Sequence, residues 1–475
     1  MSRTDARLAA AVALSVIALA ATYTHVGLTV NDGSRYCLAQ AIALDGSFEI
    51  GARYLRAVGT AGAIDKISYE GRVYSDKAPL GSFLAAPVAW LANALGLGER
   101  AAIYACSLAI AAMPAGVACA CVFLVARSIG ATAPRAVFAS LALGAGTNLL
   151  YWSTLMFSHA LSAALVVASY ALVRRGTTSG ALATAGLVGG LGVASDYYVL
   201  LLLPGLGLYV LARHGWRKAI AFGAGAAVAG VVPALYHHAL YGQPLVLPYR
   251  YHATFSFVHD AGFYGISVPR QFAVLDILVG KGFGLCFWNP VFLVSFAALP
   301  GFVRRHRADG VLLVGSLAVL LWVGAGHTQV GYGYGWSWGP RYLVPLYPLL
   351  VVPLALAPWG RGARYLAAGL AALSIALNLA TVQLYHQPEM YEAHLAIAHE
   401  LPRTMAVFGG LNVYAQVLRL AGRTDPLGAS LLSGLVVGAL AGAWTRWAWR
   451  HGESRLVQAA PVPPPTRVTS ATNKR

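Results

Sequence analysis

Residues 8–36 read LAAAVALSVIALAATYTHVGLTVNDGSRY. The run 8–30 holds no formal charge, and it has the length, about 20 residues, that an α-helix needs to cross the hydrocarbon layer of a bilayer. It then gives way abruptly to Asp32, Arg35 and Tyr36. Charged groups set against the end of an apolar run place polar chemistry at a membrane surface. The basic start Ser2–Arg7 followed by an apolar run also fits a secretory leader, with Ala18–Ala21 as a cleavage site. Leaders have a shorter apolar core of about 7–15 residues, so the run is read as an uncleaved first span.

The rest of the chain repeats the pattern. Of 475 residues 58% are hydrophobic and 11% charged, whereas a soluble chain needs about 25% charged residues to cover its surface. The mean hydropathy is +0.63, and 52 glycines suit closely packed membrane helices. Further apolar runs fall near 101–126, 133–151, 156–173, 181–195, 197–212, 218–241, 290–303, 310–326, 341–358, 363–384 and 427–448. Together they predict an all-α polytopic membrane protein with about twelve transmembrane helices.

The net charge of +17 lies in short basic clusters between these runs. That pattern belongs to loops on the cytoplasmic side and to anionic lipid, not to nucleic acid. Arg127 with Arg135, Arg174-Arg175, Arg213 with Arg217-Lys218, Arg304-Arg305 with Arg307, Arg361 with Arg364, and Arg450 with Arg455 all fall inside if 79–97 lies along the outer interface instead of spanning. Pro79, Pro87 and Gly81-Ser82 favour that choice. Both termini are then cytoplasmic, and the long polar segments 31–100, 242–289 and 386–425 share the outer face with the loop 327–340. The expected organisation is a transmembrane core over 1–385, an outer loop plus last helix over 386–453, and a disordered cytoplasmic tail over 454–475. The five cysteines, 37, 106, 119, 121 and 286, have no metal-site spacing and read as small packing residues.

Polar side chains beside a membrane are costly and usually functional, so the outer segments carry the candidate chemistry. Asp32 could act as a general base or could cap a helix starting near Ser34. Arg35 could pair with Asp32, bind a phosphate, or snorkel to the interface. Asp76-Lys77 precedes Pro79 at the start of the interfacial helix; Lys77 suits a phosphate, and a surface ion pair is the alternative. Tyr36 and Tyr74 could stack on a sugar or belong to an aromatic belt, and Asp196-Tyr197 sits at an outer hairpin tip. The stretch 327–342, HTQVGYGYGWSWGPRY, sets Trp336 and Tyr342 beside Arg341, which suits a flat sugar with an anionic group. The histidines 386, 394 and 399 have no tight metal spacing, so no metal ligand is assigned, and a divalent ion finds no support in ligand spacing.

Three motifs in order give a resemblance. Asp32 followed by Arg35-Tyr36, then YSDKAP over 74–79, then PRYLVP over 340–345, resemble the GT-C superfamily of glycosyltransferases, in the branch of the protein O-mannosyltransferases and the lipid A aminoarabinose transferase. The match departs where a second acid is expected, here Gly33, and at Asp196, where the branch often has Lys. The resemblance implies a GT-C-like bundle with interfacial helices in the first outer loop. It also implies sugar transfer from a polyprenyl-phosphate donor to an acceptor hydroxyl on the extracytoplasmic face of the inner (plasma) membrane, with inversion. Asp32 would be catalytic; Lys77, Arg35 and Arg341 would hold the lipid phosphate; Tyr36, Tyr74, Asp76, Asp196, Tyr197, Trp336 and Tyr342 would line the substrate. The partners implied are the lipid-linked donor, a glycan, lipid or protein acceptor, and membrane lipids. The rival reading is a multi-pass transporter or lipid-linked-sugar flippase, which twelve spans would also suit.

Overall fold

Each apolar run of the sequence becomes helix. The computed structural model describes residues 2–59, 64–254, 260, 262–327, 337–357, 360–384 and 393–452. After α1 (Arg3–Tyr23), the first polar segment folds as α2 (Val30–Gln40), α3 (Gly51–Val58), a hairpin of β1 (Ile67–Tyr69) and β2 (Arg72–Tyr74), and α4 (Leu80–Ala94). The bundle continues with α5 (Glu99–Ser128), α6 (Ala133–Gly146), α7 (His159–Arg175), α8 (Ser179–Ser195), α9 (Tyr197–His214) and α10 (Trp216–Tyr241). Beyond the second polar segment come α11 (Val291–Arg305), α12 (Arg307–Gly326), α13 (Arg341–Leu356) and α14 (Arg361–Thr381), then α15 (Ala393–Phe408), α16 (Val413–Leu420) and α17 (Pro426–Gly452). Among the described residues seven helices, α1, α5, α9, α10, α12, α14 and α17, are long and apolar enough to cross a membrane. The shorter α6, α7, α8, α11 and α13 fall on the other runs read as spans. The tail over 454–475 lies outside the described residues.

The first helix ends earlier than its apolar run. The Thr22 and Thr24 hydroxyls donate to the Ala18 and Ala20 carbonyls, each at 2.9 Å, and His25 then leaves the helix to bond Thr154. The next helix starts at Val30 with Thr29 as its N-cap, so Asp32 occupies its first turn and is not the N-cap. At 15 residues α4 is shorter than a span needs, and it carries Pro87. One face of α4 (Ala85, Ala89, Ala92) packs with Tyr36 and Ala39 of α2, while Trp90, Leu91 and Leu95 are exposed, as an interfacial helix requires. The run 341–356 is broken into short turns because Pro345, Pro348 and Pro353 cannot continue a helical hydrogen-bond ladder.

Lipid tails are as apolar as leucine, so membrane helices are held by close packing and buried polar bonds. Helices α8 and α10 approach closely. A methyl group on Gly186 would lie 1.9 Å from the Phe222 carbonyl, and one on Gly225 1.9 Å from that of Ala183. These backbones touch because both positions lack a side chain. Ion pairs fix one end of the bundle: Arg127 donates to Asp5 at 2.8 Å, and Arg174 to Asp309. The polar segments gather at the other end, where Ile67 bridges His252 and Ile266 bridges His327. Gln416 of α16 reaches the Thr24 carbonyl there at 3.2 Å.

Candidate active site

Several separate pieces of chain build one cavity at that end. The β1–β2 turn runs through Glu70 and Gly71, both with positive φ, of 49° and 77°. Two successive left-handed residues match the twist of a tight hairpin, and glycine makes the second one inexpensive. The hairpin pairs Ile67 with Tyr74, and the strand exit carries Ser75-Asp76-Lys77 to Pro79, the cap of α4. Ser34 ties this turn to α2: its hydroxyl lies 2.9 Å from that of Ser75 and 3.4 Å from the Asp76 carboxylate. Because Ile67 also bridges His252, the second polar segment is drawn against the same turn.

The Lys77 ammonium sits between two carboxylates, 2.9 Å from Asp65 and 2.6 Å from Asp76. Burial alone would raise the Asp76 carboxyl, but Lys77 and His252 beside it bring it below the usual carboxylate range. An ammonium has three N–H groups, so one remains for a further acceptor. Arg35 donates from Nε to Ser158 at 3.2 Å and from its terminal nitrogen to the Asn31 side chain, with its guanidinium over Phe157. Arg341 stands over the Tyr342 ring, and that ring stacks on Tyr198 at 4.0 Å between centroids. Tyr197 bonds His237 at 2.7 Å. Asp196 receives the Tyr198 N–H at 3.2 Å and meets His159 Nδ1 at 3.0 Å. Burial works to raise its carboxyl, but the His159 bond and charge, the Tyr198 N–H and the Arg35 charge hold it low.

These groups line a cavity of about 290 Å³. Its walls include Arg35, Lys77, Arg341, Asp65, Asp76, Asp196, His159 and Tyr249, together with the apolar Leu200, Leu201, Leu247 and Val323. The chamber therefore combines three cations, three carboxylates and aromatic rings with apolar side chains.

Of the residues singled out from sequence, Arg35, Lys77, Asp76, Asp196, Tyr197, Arg341 and Tyr342 all line this cavity. Tyr36 and Tyr74 do not; each is buried in a separate packing cluster, Tyr36 against α4 and Tyr74 with Tyr54 and Tyr236. Trp336 lies outside the described residues. Asp32 is 1% exposed and does not line the cavity. Its carboxylate accepts from the Thr29 N–H, the Thr29 hydroxyl and its own neighbour's N–H at Gly33, closing the first turn of α2. Helical register explains the split. Asn31 and Arg35, four apart, share the cavity face, whereas Asp32 and Tyr36 share a face about 100° further round.

Burial pushes the Asp32 carboxyl up to about 7, against the pull of the Thr29 and Gly33 hydrogen bonds. The folded protein then keeps a proton that the unfolded chain loses near pH 4. Its contribution is fully present below about pH 4 and is lost as pH rises through about 7. Thermal melts of purified protein should show this decline between those values, and Asp32→Asn should flatten it. A decline of the same size in the variant would assign it to other groups.

The partners of Asp76 and Asp196 were not legible from spacing. Asp65, Asp76 and His252 bring ligand atoms within 4.8 Å of one another, although His252 comes from the second polar segment. This is a donor set that could hold a divalent cation, in competition with the Lys77 ammonium. His159 opens an apolar run, where a lone histidine carries no signal, and its partner Asp196 lies on the next helix.

No protein family matches the sequence, and no curated protein matches it. Solved structures do. The fold is similar to ArnT from Cupriavidus metallidurans bound to undecaprenyl phosphate, at 17% identity and a TM-score of 0.54, covering 94% of this chain and 76% of that one. The same protein in the apo state matches at 18% identity and a TM-score of 0.50, covering 92% and 75%. At this identity the likeness shows the fold alone, a multi-pass helical membrane bundle like that of ArnT.

Proposed function

We propose that the chain is a membrane glycosyltransferase that takes a sugar from a polyprenyl-phosphate donor and passes it to an acceptor hydroxyl. The observation that carries this reading is the cavity itself: Lys77, Arg35 and Arg341, from three separate parts of the chain, line one cavity together with the apolar Leu200, Leu201 and Val323. A phosphate on an isoprenoid chain has that same combination of charge and hydrocarbon. Similarity of fold to a protein solved with undecaprenyl phosphate supports it. Polyprenyl phosphate is a stable leaving anion. The site therefore needs to stabilise charge developing on the phosphate, which fixed cations in a water-poor chamber do well. Tyr342 stacked on Tyr198 would face the sugar, and a single displacement from the side opposite the phosphate would invert its anomeric carbon. Asp32 would act by fixing the first turn of α2, and so the placement of Asn31 and Arg35. The basic clusters at the bundle end away from the cavity, such as Arg127, Arg174 and Arg213, favour an extracytoplasmic site with cytoplasmic termini.

The test is binding by purified protein of polyprenyl phosphate against the uncharged polyprenol of equal length. The cation cradle predicts at least tenfold tighter binding of the phosphate, lost in Lys77→Met. Equal binding of the two lipids would remove the phosphate from the site.

A further inference from the structure

Among the described residues, the His159–Asp196 pair lines the cavity without contacting the cations of the phosphate cradle. His159 is the first residue of α7 and Asp196 caps α8. They meet at Nδ1···Oδ2, 3.0 Å, and both line the cavity with Lys77, Arg35 and Arg341. The geometry is fixed from both sides. The other Asp196 oxygen is held by the Tyr198 N–H. The imidazole is clamped by Trp152 edge-on at 4.9 Å, by Phe157 at 5.8 Å and by Tyr342 edge-on at 6.3 Å. A carboxylate on Nδ1 sets the tautomer with the proton on that nitrogen and leaves the Nε2 lone pair to accept one. Asp32, by contrast, spends its carboxylate on the first turn of α2 and lies outside the cavity wall.

We infer that His159 is the general base of the transfer and that Asp196 is its positioning residue. This rests on reading the cavity as a site of sugar transfer from a lipid phosphate. The acceptor hydroxyl gives its proton to His159 Nε2 as its oxygen bonds the anomeric carbon. The bond from that carbon to the phosphate oxygen breaks, its electron pair leaving with the polyprenyl phosphate, whose new charge meets Lys77, Arg35 and Arg341. The imidazolium is stabilised by Asp196 and returns its proton to water as the products depart, so the step consumes no oxidant or reductant. The pair also accounts for an acid at the hairpin tip: at Asp196 a lysine would repel the protonated ring.

The experiment uses the full chain in proteoliposomes, with radiolabelled polyprenyl-phosphate sugars as donors and a cell-envelope extract as acceptor. Binding of polyprenyl phosphate is measured on the same preparations. His159→Gln should lower transfer by about 10²–10⁴-fold, the usual worth of a general base, with lipid binding unchanged. Added imidazole should restore part of the activity of His159→Ala, a response that a merely structural role would not give. Asp196→Asn should lower kcat with little change in the KM for donor, and Asp196→Glu should recover part of the loss. Full transfer by His159→Gln beside a collapse in Asp32→Asn would overturn the inference and return the base to α2, leaving the transferase reading intact. Loss of lipid binding in His159→Gln, with no imidazole rescue of His159→Ala, would also overturn it, as a structural role. Wild-type protein that binds polyprenyl phosphate but cleaves no donor would overturn the transferase reading itself.

Discussion

Lys77→Met is expected to leave a folded protein whose sugar transfer has fallen by about 10²–10³-fold, the effect of removing one fixed group that meets charge in a transition state. The ammonium is 11% exposed and bonds two carboxylates, Asp65 and Asp76, that are themselves largely buried. Removing it does two things that must be separated. It takes away the cation aimed at the donor phosphate, and it leaves two largely buried acids without the cation between them, which costs stability. The double variant Asp65→Asn with Lys77→Met relieves the second effect and not the first. Melting temperature should therefore recover in the double variant while transfer stays low. Lys77→Arg keeps the charge and should retain a measurable fraction of the activity. Recovery of transfer in the double variant would show that Lys77 serves only to neutralise its neighbours.

The largest effect on folding is expected far from the cavity. Asp309, 5% exposed, accepts from Arg174, from the Tyr170 hydroxyl at 2.7 Å and from the Tyr209 hydroxyl at 2.5 Å. One carboxylate thus ties together α7, α9 and α12. Asp309→Ala leaves the largely buried Arg174 guanidinium without its carboxylate, with only the Tyr209 hydroxyl as a neutral hydrogen-bond partner, and breaking a buried pair this way costs about 3–5 kcal/mol. Most of the protein should then be lost from the folded, monodisperse fraction after detergent extraction. Replacing both partners, Asp309→Leu with Arg174→Met, should restore much of it, because neither charge is left uncompensated. The folded fraction of either variant should keep a wild-type KM for donor, since the network lies at the opposite end of the bundle from the cavity. A changed KM would mean that the two ends are coupled.

The fold was legible because apolar runs of membrane length admit only one regular structure when every backbone group must bond within its own segment. The interfacial placement of α4 also followed from its prolines and its length. Lys77, Arg35, Arg341 and Asp196 were legible for a related reason: charged groups next to apolar runs are expensive unless they are used. What the chain order hides is direction and company. Whether Asp32 or Asn31 faces the cavity depends on where α2 begins. Thr29, an ordinary residue at the end of an apolar run, moved that start to Val30. Tyr36 and Tyr74 are tyrosines beside the right motifs, yet each points into a packing cluster. His159 opens one helix and Asp196 ends the next, and Asp65 and Asp76 flank the hairpin while His252 comes from the second polar segment. Only the closed structure brings those partners together.

The measurement that tests the account most directly follows both halves of a doubly labelled donor, with isotope in the sugar and in the polyprenyl phosphate, in proteoliposomes containing the wild-type protein and an acceptor extract. The account predicts that the labels separate: sugar appears on a non-lipid-phosphate product, free polyprenyl phosphate accumulates in equal amount, and Lys77→Met stops both. Movement of the intact donor from one leaflet to the other, with the two labels still joined, would contradict it and make the protein a transporter.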